Sequence, residues 1–299
     1  MEMGKKILVT GSNGQLGMEL QQLAAADPSV QFIFTNRSDF PLDDFDAINN
    51  FITVNQPQYF INCAAYTAVD KAESEKELAY KINAESAGVI AGACKANNVQ
   101  LIHISTDYVF NGMGSTPYKE DDATDPVNFY GSSKLEGEKK VMQLSPGSII
   151  IRTSWVYSEF GQNFVKTMLR LMADKEQVSV VNDQSGTPTY AADLAEAILK
   201  IISTLENPTH HSPLTTHSGI YHFSNEGHIT WYDFAVAIKE LSGSPCIVNP
   251  ISTSQFPTAA KRPFYSVLDK TKIQQTFGVK VNNWKTSLAV CMERLKKNN

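Results

Sequence analysis

The stretch KILVTGSNGQLGMELQQLAAA, residues 6–26, decides the fold of this chain. An apolar strand-like run leads into Gly11, Gly14 and Gly17 at three-residue spacing, and a helical pattern follows. Glycines let the backbone turn tightly and approach a pyrophosphate, whose charge then lies at the positive end of the helix dipole. The stretch therefore predicts the start of a dinucleotide-binding sheet. Its alternative is a tight turn without a ligand.

The rest of the first half continues this alternation of short apolar runs and longer helical patterns. Nearly continuous apolar strands separated by helices are typical of a parallel sheet that is covered on both faces. We therefore predict an α/β protein, a Rossmann-type doubly wound parallel sheet with a smaller α/β substrate-binding lobe. The predicted dinucleotide-binding domain is 1–155, to which the chain returns near 178–205 and 219–225, and the discontinuous smaller lobe is 156–299.

The composition argues against several classes of protein. With 299 residues, of which 42% are hydrophobic and 19% charged, the chain can bury a substantial core. A net charge of −5 without basic blocks argues against nucleic-acid and membrane binding, so a small molecule is the expected partner. MEMGKKILVT has no signal-peptide pattern and no long apolar run follows it, which predicts a cytoplasmic protein. Widely spaced cysteines, and histidines without ligand spacing, predict no metal site.

The end of the second strand-like run bears on the choice of dinucleotide. An acidic side chain there would bind the ribose 2′-OH of NAD, whereas an arginine accommodates the 2′-phosphate of NADP. FIFTNRSDF, residues 32–40, has Asn36 and Arg37 at this point, with Asp39 close by. We therefore predict NADPH as the cofactor, and Asp39 leaves NADH open as the alternative.

Another group of residues lies where later strands should end. Ala64, Ser105 and Thr106 follow apolar runs, and the carboxyl ends of parallel strands are where open α/β sheets bind ligands. Tyr130 and Lys134 come four residues apart on the next helical pattern, so their side chains share one face. A nearby ammonium group favours a phenolate and lowers the tyrosine pKa. The pair predicts a proton-transfer site, although two such neighbours also occur by chance on helices.

Several motifs occur in a characteristic order. TGSNGQLG, NCAAYTAVDKAE, STDYVF and FYGSSKLEGEK resemble the extended short-chain dehydrogenase/reductase superfamily. With RTSWVY, NDQSGTPTYAADLA and AAKRPFYSVLD, the chain resembles the dTDP-4-dehydrorhamnose reductase family over essentially its whole length. The resemblance implies transfer of a hydride from NADPH to the C4 keto carbon of dTDP-4-dehydro-L-rhamnose.

The resemblance also implies roles for individual residues. Tyr130 would donate a proton to the developing alkoxide, Lys134 would hold the nicotinamide ribose and lower the Tyr130 pKa, and Thr106 would hydrogen-bond the carbonyl oxygen. The implied cofactor-binding residues are Gly11, Asn13, Gly14, Gln15, Leu16, Gly17, Asn36, Arg37, Ala64, Ala65, Tyr66, Ser105, Tyr130 and Lys134. The implied substrate-binding residues are Thr67, Val69, Thr106, Asp107, Tyr108, Tyr130, Trp155 as an aromatic wall, and Asn163 and Arg262 at the diphosphate.

The aromatic residues of the second half also have a simpler interpretation. Trp155 lies in an apolar run and, without the resemblance, indicates core packing more often than ligand contact. TWYDFAVAI, residues 230–238, has aromatic residues at helical spacing. That spacing predicts packing in the core of the smaller lobe.

Two alternative functions are consistent with many of these features. A sugar-nucleotide dehydratase or epimerase shares the superfamily, but a dehydratase needs an acid–base pair, typically Asp then Glu, after the threonine. Here Tyr108 follows Asp107, and a neutral phenol suits simple carbonyl reduction. A non-catalytic, NADP-binding regulatory subunit resembling the β subunit of methionine adenosyltransferase is the other alternative, because such proteins can retain Thr106, Tyr130 and Lys134.

The assembly is the last question that the resemblance raises. Some members of the family dimerise through magnesium bridged by glutamates, and Glu19 matches one of these positions. The second position corresponds to Ala192, and a hard cation requires oxygen ligands. A monomer or a metal-free homodimer is therefore as consistent with the sequence as a magnesium-bridged one.

Overall fold

The computed structural model describes residues 5–26, 30–206 and 217–297, so residues 1–4 and 27–29 of the predicted first domain, and 207–216 and 298–299 of the predicted smaller lobe, lie outside it. The strands are β1 (Lys6–Thr10), β2 (Gln31–Thr35), β3 (Tyr59–Asn62), β4 (Gln100–Thr106), β5 (Ile149–Thr153), β6 (Val156–Tyr157), β7 (Gln177–Val181), β8 (Ser185–Gly186), β9 (Thr189–Tyr190), β10 (Gly219–His222), β11 (Ile229–Thr230) and β12 (Ile247–Ile251). The helices are α1 (Gln15–Ala26), α2 (Phe45–Asn55), α3 (Val69–Ala72), α4 (Lys76–Tyr80), α5 (Ser86–Ala96), α6 (Phe129–Leu144), α7 (Phe164–Asp174), α8 (Ala191–Glu206), α9 (Trp231–Ser242), α10 (Thr271–Phe277) and α11 (Trp284–Lys297).

The largest sheet has six strands in the order β2-β1-β3-β4-β5-β10. Every neighbouring pair in it is parallel. The chain starts at β1, proceeds outward through β2 on one side, and then proceeds outward through β3, β4 and β5 on the other. The order therefore reverses between β1 and β3, which is the point where doubly wound sheets bind ligands. The predicted fold class is confirmed.

Alternation along β1 explains why both faces of the sheet are covered. Ile7 and Val9 pack with residues of α1 and α8 in one hydrophobic cluster. Leu8 packs with residues of α2 and α5 in another cluster on the opposite face. Successive side chains of a strand point to opposite faces, so a fully apolar strand requires helices on both sides. The apolar runs of the sequence are thus explained by burial on both faces.

The second half forms a smaller group of elements with its own hydrophobic cluster. α7, α9 and α11 contribute to this cluster, as do β7 and the neighbouring strand β12, with which β7 pairs in parallel. Within the segment 178–205, which is predicted to return to the dinucleotide-binding domain, α8 packs on α1, whereas β7 pairs with β12. β10, within 219–225, extends the large sheet beside β5. The division into two domains stays a prediction.

Among the described residues, no helix is long and apolar enough to span a membrane.

Candidate active site

The glycine turn is built around two close approaches of the backbone. Gly11 has φ +69°, and a Cβ there would lie 2.9 Å from the amide nitrogen of Ala64, which follows β3. A Cβ on Gly17 would overlap the carbonyl oxygen of Gly11 and the backbone of Ser12. Gly11 therefore lets the turn lie against the next strand end, and Gly17 lets α1 begin directly against the turn.

A cavity of about 970 Å³ lies at the carboxyl ends of the central strands, a volume at the upper end of small-molecule sites. Of the predicted cofactor-binding residues, only Gly17 does not line it, because Gly17 packs on the turn behind the cavity wall. The cofactor-binding residues that line the cavity are Gly11, Asn13, Gly14, Gln15, Leu16, Asn36, Arg37, Ala64, Ala65, Tyr66, Ser105, Tyr130 and Lys134. The predicted substrate-binding residues that line it are Thr67, Val69, Thr106, Asp107, Tyr108, Tyr130 and Trp155.

The start of α6 brings Tyr130 to the end of β4. Asn128 caps the helix, since its side-chain oxygen accepts a hydrogen bond from the Gly131 amide at 2.8 Å. A Cβ on Gly131 would overlap the carbonyl oxygen of Tyr108, so the helix can approach that loop only with glycine at this position. The rings of Tyr130 and Tyr108 then meet edge to face, 5.7 Å apart. The sequence contained Gly131 directly after Tyr130, but its role was missed because its contact lies far away in the chain.

The direction of the pKa shift of Tyr130 differs from the prediction. Burial raises the pKa of Tyr130 to about 12, and the Asp107 carboxylate adds to the rise against a hydrogen bond with Thr106. Burial lowers the pKa of Lys134 to about 8, opposed by the nearby Glu138. The Lys134 ammonium donates to the Ile104 carbonyl at 2.7 Å. The predicted lowering of the Tyr130 pKa is therefore wrong for this structure, because the cost of burying a phenolate dominates.

Thr106, Asp107 and Tyr108 form a hydrogen-bonded turn at the end of β4. The Thr106 hydroxyl donates to the Asp107 carboxylate at 2.9 Å and accepts from the Tyr108 amide at 3.2 Å. Asp107 is buried, which raises its pKa to about 6 although hydrogen bonds from Ser266 and Thr106 oppose the rise. Burial likewise raises the pKa of Tyr108. The turn therefore places a hydroxyl and two groups that favour protonation around Tyr130.

A buried ion pair between Arg152 and Glu138 lies next to Lys134, and it was not predicted from the sequence. Arg152 of β5 and Glu138 of α6 are each 2% exposed, with 2.7 Å between guanidinium nitrogen and carboxylate oxygen. Ser105 donates a hydrogen bond of 2.5 Å to the same carboxylate. Glu138 lies four residues after Lys134 on the same helix face, a signal that the sequence did contain. This network fixes α6 against β4 and β5 beneath the cavity.

After β2, Arg37 lines the cavity, whereas the nearby Asp39 does not. Arg37 is exposed and lines the cavity together with Asn36. The Asp39 carboxylate accepts a hydrogen bond of 3.1 Å from the Asn36 amide and so closes the local turn. Asp39 is not among the residues that line the cavity. The guanidinium is thus the charged group available at this end of the site.

Asn163 and Arg262, both predicted at the substrate diphosphate, do not line the cavity. The Asn163 amide donates to Gln15 at 2.9 Å, and its side-chain oxygen caps α7. The Arg262 guanidinium forms two hydrogen bonds with the Asp70 carboxylate, at 2.5 and 2.7 Å. Each side chain is therefore held by other protein groups in this structure, and binding of the substrate diphosphate by Asn163 and Arg262 stays a prediction.

An aromatic wall closes the side of the cavity that faces the smaller group of elements. Trp155 lies in the cavity wall with φ +48°, a left-handed backbone that bulky residues rarely adopt. Its indole stacks on that of Trp231, with ring centroids 3.6 Å apart and an interplanar angle of 11°. Trp231 packs against the hydrophobic cluster of the smaller group of elements, as its helical spacing predicts, and it also lines the cavity. Helical spacing alone could not show which end of α9 faces the cleft.

Glu19, the residue at the possible magnesium bridge, is only 2% exposed. It accepts a hydrogen bond from Ser158 at 2.7 Å and lies 3.5 Å from the Arg294 guanidinium. Burial raises the pKa of Glu19 to about 8, and Glu159 beside it adds to the rise. Within the described part of the chain, no group of three or more histidine, cysteine or acidic side chains is placed to hold a metal ion.

The doubly wound sheet, the glycine turn and the Tyr–Lys pair at one cavity define a dinucleotide-dependent oxidoreductase of the short-chain dehydrogenase/reductase type. Comparison with known proteins narrows this class. The family model described as RmlD substrate binding domain matches residues 5–297. The chain therefore belongs to the dTDP-4-dehydrorhamnose reductase family.

Individual relatives support the same family. A dTDP-4-dehydrorhamnose reductase of Aggregatibacter actinomycetemcomitans is 42% identical, over 95% of this chain and 97% of that protein. The crystal structure of a Clostridium acetobutylicum dTDP-4-dehydrorhamnose reductase superposes with a TM-score of 0.91 at 42% identity, covering 97% of this chain and 99% of the other. The Bacillus anthracis enzyme, solved in complex with NADP, gives 0.89 at 36% identity, covering 99% and 100%.

Proposed function

We propose that this chain reduces the C4 keto group of dTDP-4-dehydro-L-rhamnose with NADPH, giving dTDP-L-rhamnose for the synthesis of cell-surface polysaccharide. The observation that carries the proposal is the position of Thr106, Tyr130 and Lys134 in one cavity with the glycine turn. Similarity to dTDP-4-dehydrorhamnose reductases over nearly the whole chain supports the choice of substrate.

The residues at the glycine turn fit a dinucleotide. Gly11 and Gly14 line the cavity without side chains, and α1 begins directly behind them, so amide groups and the helix dipole favour a pyrophosphate. Arg37 at the end of β2 suits a 2′-phosphate, and Asp39 is engaged by the backbone. When bound, NADPH supplies the hydride that reduces the carbonyl carbon. NADH remains the alternative that the sequence left open.

The raised pKa of Tyr130 suits the direction of reduction. With a pKa of about 12, the phenol stays protonated at neutral pH and can give its proton to the carbonyl oxygen as negative charge develops there. Thr106 would hydrogen-bond the same oxygen, and the Lys134 ammonium would hold the ribose and stabilise the phenolate left behind. A phenol that was already ionised could not serve as the acid.

The neighbourhood of Thr106 favours reduction over dehydration. Elimination of water requires a second carboxyl group beside Asp107, where this chain has Tyr108. Burial raises the pKa of Tyr108, so its phenol stays neutral. We propose that Asp107, Tyr108, Thr67, Val69 and the Trp155 wall contact the sugar nucleotide.

We propose that Arg262 binds the substrate diphosphate after a change in its present contact with Asp70. Its guanidinium must share or release Asp70 before it can bind a phosphate. Asn163 would act through Gln15, to which it is hydrogen-bonded.

We also propose that the enzyme acts in the cytoplasm as a monomer or a metal-free homodimer, since Glu19 is engaged internally by Ser158 and Arg294.

One set of assays tests the proposal. Purified protein is given NADPH or NADH with dTDP-4-dehydro-L-rhamnose or its UDP analogue, and cofactor oxidation is followed by absorbance. We expect turnover with NADPH and the dTDP sugar, and less with either replacement. A folded protein that binds NADPH but oxidises none with this sugar would contradict the proposal and favour a regulatory subunit. Formation of a dehydrated or epimerised sugar would favour the other alternative.

A further inference from the structure

The backbone of Trp155 is fixed on both sides. The preceding Ser154 donates a hydrogen bond of 2.7 Å to the Thr187 carbonyl. The Trp155 carbonyl accepts from the Thr189 amide at 3.2 Å, and β6 then pairs with β9. A left-handed residue that is not glycine persists only where its surroundings determine it, and such residues concentrate at ligand sites. The local bonds hold the backbone, but they do not hold the indole.

The Trp155 indole contacts Gly186, which belongs to a small β-ladder, and Trp231, which directly follows that ladder. β8 and β11 are antiparallel, with Gly186 opposite Ile229 and Ser185 opposite Thr230. A Cβ on Gly186 would lie 2.7 Å from two atoms of the six-membered ring of Trp155. Trp231, which stacks on the indole, follows β11 directly as the first residue of α9.

The ladder places Trp231 firmly. Thr230 and Asp233 form a capping box at the start of α9. The side chain of each residue accepts a hydrogen bond from the backbone amide of the other, which fixes the first turn of the helix. Phe164 packs against the Trp231 ring, with centroids 4.7 Å apart. Trp231 is therefore a rigid support rather than a side chain free to follow Trp155.

We propose that Gly186 and Trp231 are positioning residues: the β8–β11 ladder holds the Trp155 indole in the cavity wall and thereby sets the affinity for the sugar nucleotide. The identity of that ligand rests on the proposed function. A flat, fixed indole offers an apolar plane to the C–H face of a sugar ring, and pre-organisation reduces the entropy lost on binding. Because both residues act through Trp155, neither needs to touch the ligand.

The decisive variant is Gly186→Ala, because it leaves both indoles in the chain. The added methyl group would lie 2.7 Å from the Trp155 ring and 2.8 Å from the Ser266 hydroxyl oxygen, so both side chains must shift. We expect KM for the sugar nucleotide to rise roughly three- to tenfold with a smaller change in kcat. The coupled circular-dichroism signal of stacked indoles should weaken in the same variant. Gly92→Ala is the matched control, since a Cβ there meets nothing within 4 Å. Unchanged KM and an unchanged signal in Gly186→Ala would overturn the proposal.

A double-mutant cycle tests whether Trp231 acts through Trp155. We expect Trp231→Leu and Trp155→Leu each to raise KM, and the double variant to be no worse than Trp155→Leu alone. Effects that multiply would mean that Trp231 contacts the ligand independently, and would overturn the proposal. The circular-dichroism measurement needs no substrate. If the wild-type protein reduces no keto sugar, the proposed function fails, whereas loss of the coupled signal in Gly186→Ala still supports the positioning role.

Discussion

The two sides of the cavity are built in different ways. On the sheet side, Gly11 and the Tyr130–Lys134 pair each belong to a short motif whose spacing is visible in the sequence. On the opposite side, Trp155, Gly186 and Trp231 come from separate stretches that pairing of β8 with β11 and stacking of the two indoles bring together. The difference teaches that the groups proposed for chemistry depend on local geometry, whereas the wall depends on long-range packing.

The largest effect should come from the sheet side. Tyr130→Phe removes the proposed proton donor and should lower kcat by about 10²- to 10⁴-fold, while NADPH affinity changes little. Tyr80→Phe is the matched control, because Tyr80 is a half-buried tyrosine of α4 that does not line the cavity. Stopped-flow and steady-state kinetics measure both variants. Equal losses of kcat in the two variants would contradict a specific role of Tyr130 as the proton donor.

The second prediction concerns packing at the glycine turn. Gly17→Ala places a methyl group against the Gly11 carbonyl and the Ser12 backbone, neither of which is a flexible side chain. We expect the free energy of unfolding to fall by roughly 1–3 kcal/mol, as for other overpacked sites. Urea unfolding measures the change, with Gly92→Ala as the helical control. A stable Gly17→Ala variant with weakened NADPH binding would instead support the original prediction that Gly17 contacts the cofactor.

The buried contact of Glu19 with Glu159 and Arg294 should make the free energy of unfolding depend on pH. Glu19 lies on α1 and faces Glu159 and Arg294, and burial raises its pKa from 4.5 to about 8. The folded state therefore holds a proton that the unfolded chain has lost, so this contribution to stability is full below pH 4.5 and declines as pH rises to 8. Glu19→Gln cannot ionise and should lose less stability over this window.

Thermal unfolding from pH 5 to pH 8.5 checks this prediction. The midpoint temperature of the wild-type protein should fall relative to that of Glu19→Gln over this pH range. The corresponding loss in the free energy of unfolding should be on the order of a few kcal/mol. The exposed Glu240→Gln is the control and should follow the wild type. Parallel curves for wild type and Glu19→Gln would show that the Glu19 carboxylate is stabilised by Arg294 in the folded state.

The smallest effect concerns the far end of the sheet side. Arg37→Ala should weaken NADPH binding by roughly tenfold and leave NADH within about twofold, because only NADPH carries the 2′-phosphate. Lys71→Ala is a suitable control, since Lys71 is also an exposed cation that lines the cavity. Equilibrium titration of both cofactors gives the ratio. A similar loss for NADPH and NADH would mean that Arg37 does not recognise the 2′-phosphate.

Much of the site could be predicted because its residues lie beside recognisable local patterns. Gly11 and Gly14 lie between a strand and a helix, and Thr106 lies at a strand end. The rise in the pKa of Tyr130 could not be predicted in this way. Spacing placed Lys134 beside Tyr130, but the pKa of the phenol depends on how much water the whole fold excludes, and that burial outweighs the neighbouring charge.

Arg262 shows the same limit for a single charged residue. Its type suits a phosphate, but only the folded chain shows that Asp70, far away in the sequence, already binds the guanidinium. Asn163 is similar, since its hydrogen bond to Gln15 joins distant segments. Residue type indicates which ligands are chemically possible, and tertiary contacts decide which partner is present.

By itself, the sequence determined the doubly wound sheet, the position of the glycine turn and the Tyr130–Lys134 face of α6. These features follow from periodicity and short-range spacing, which the backbone geometry of strands and helices fixes. The tertiary structure alone decided the stacking of Trp155 on Trp231, the clearance at Gly186 and the raised pKa of Tyr130. The physical reason is that close packing and desolvation depend on atoms from many distant segments, and no local pattern specifies them.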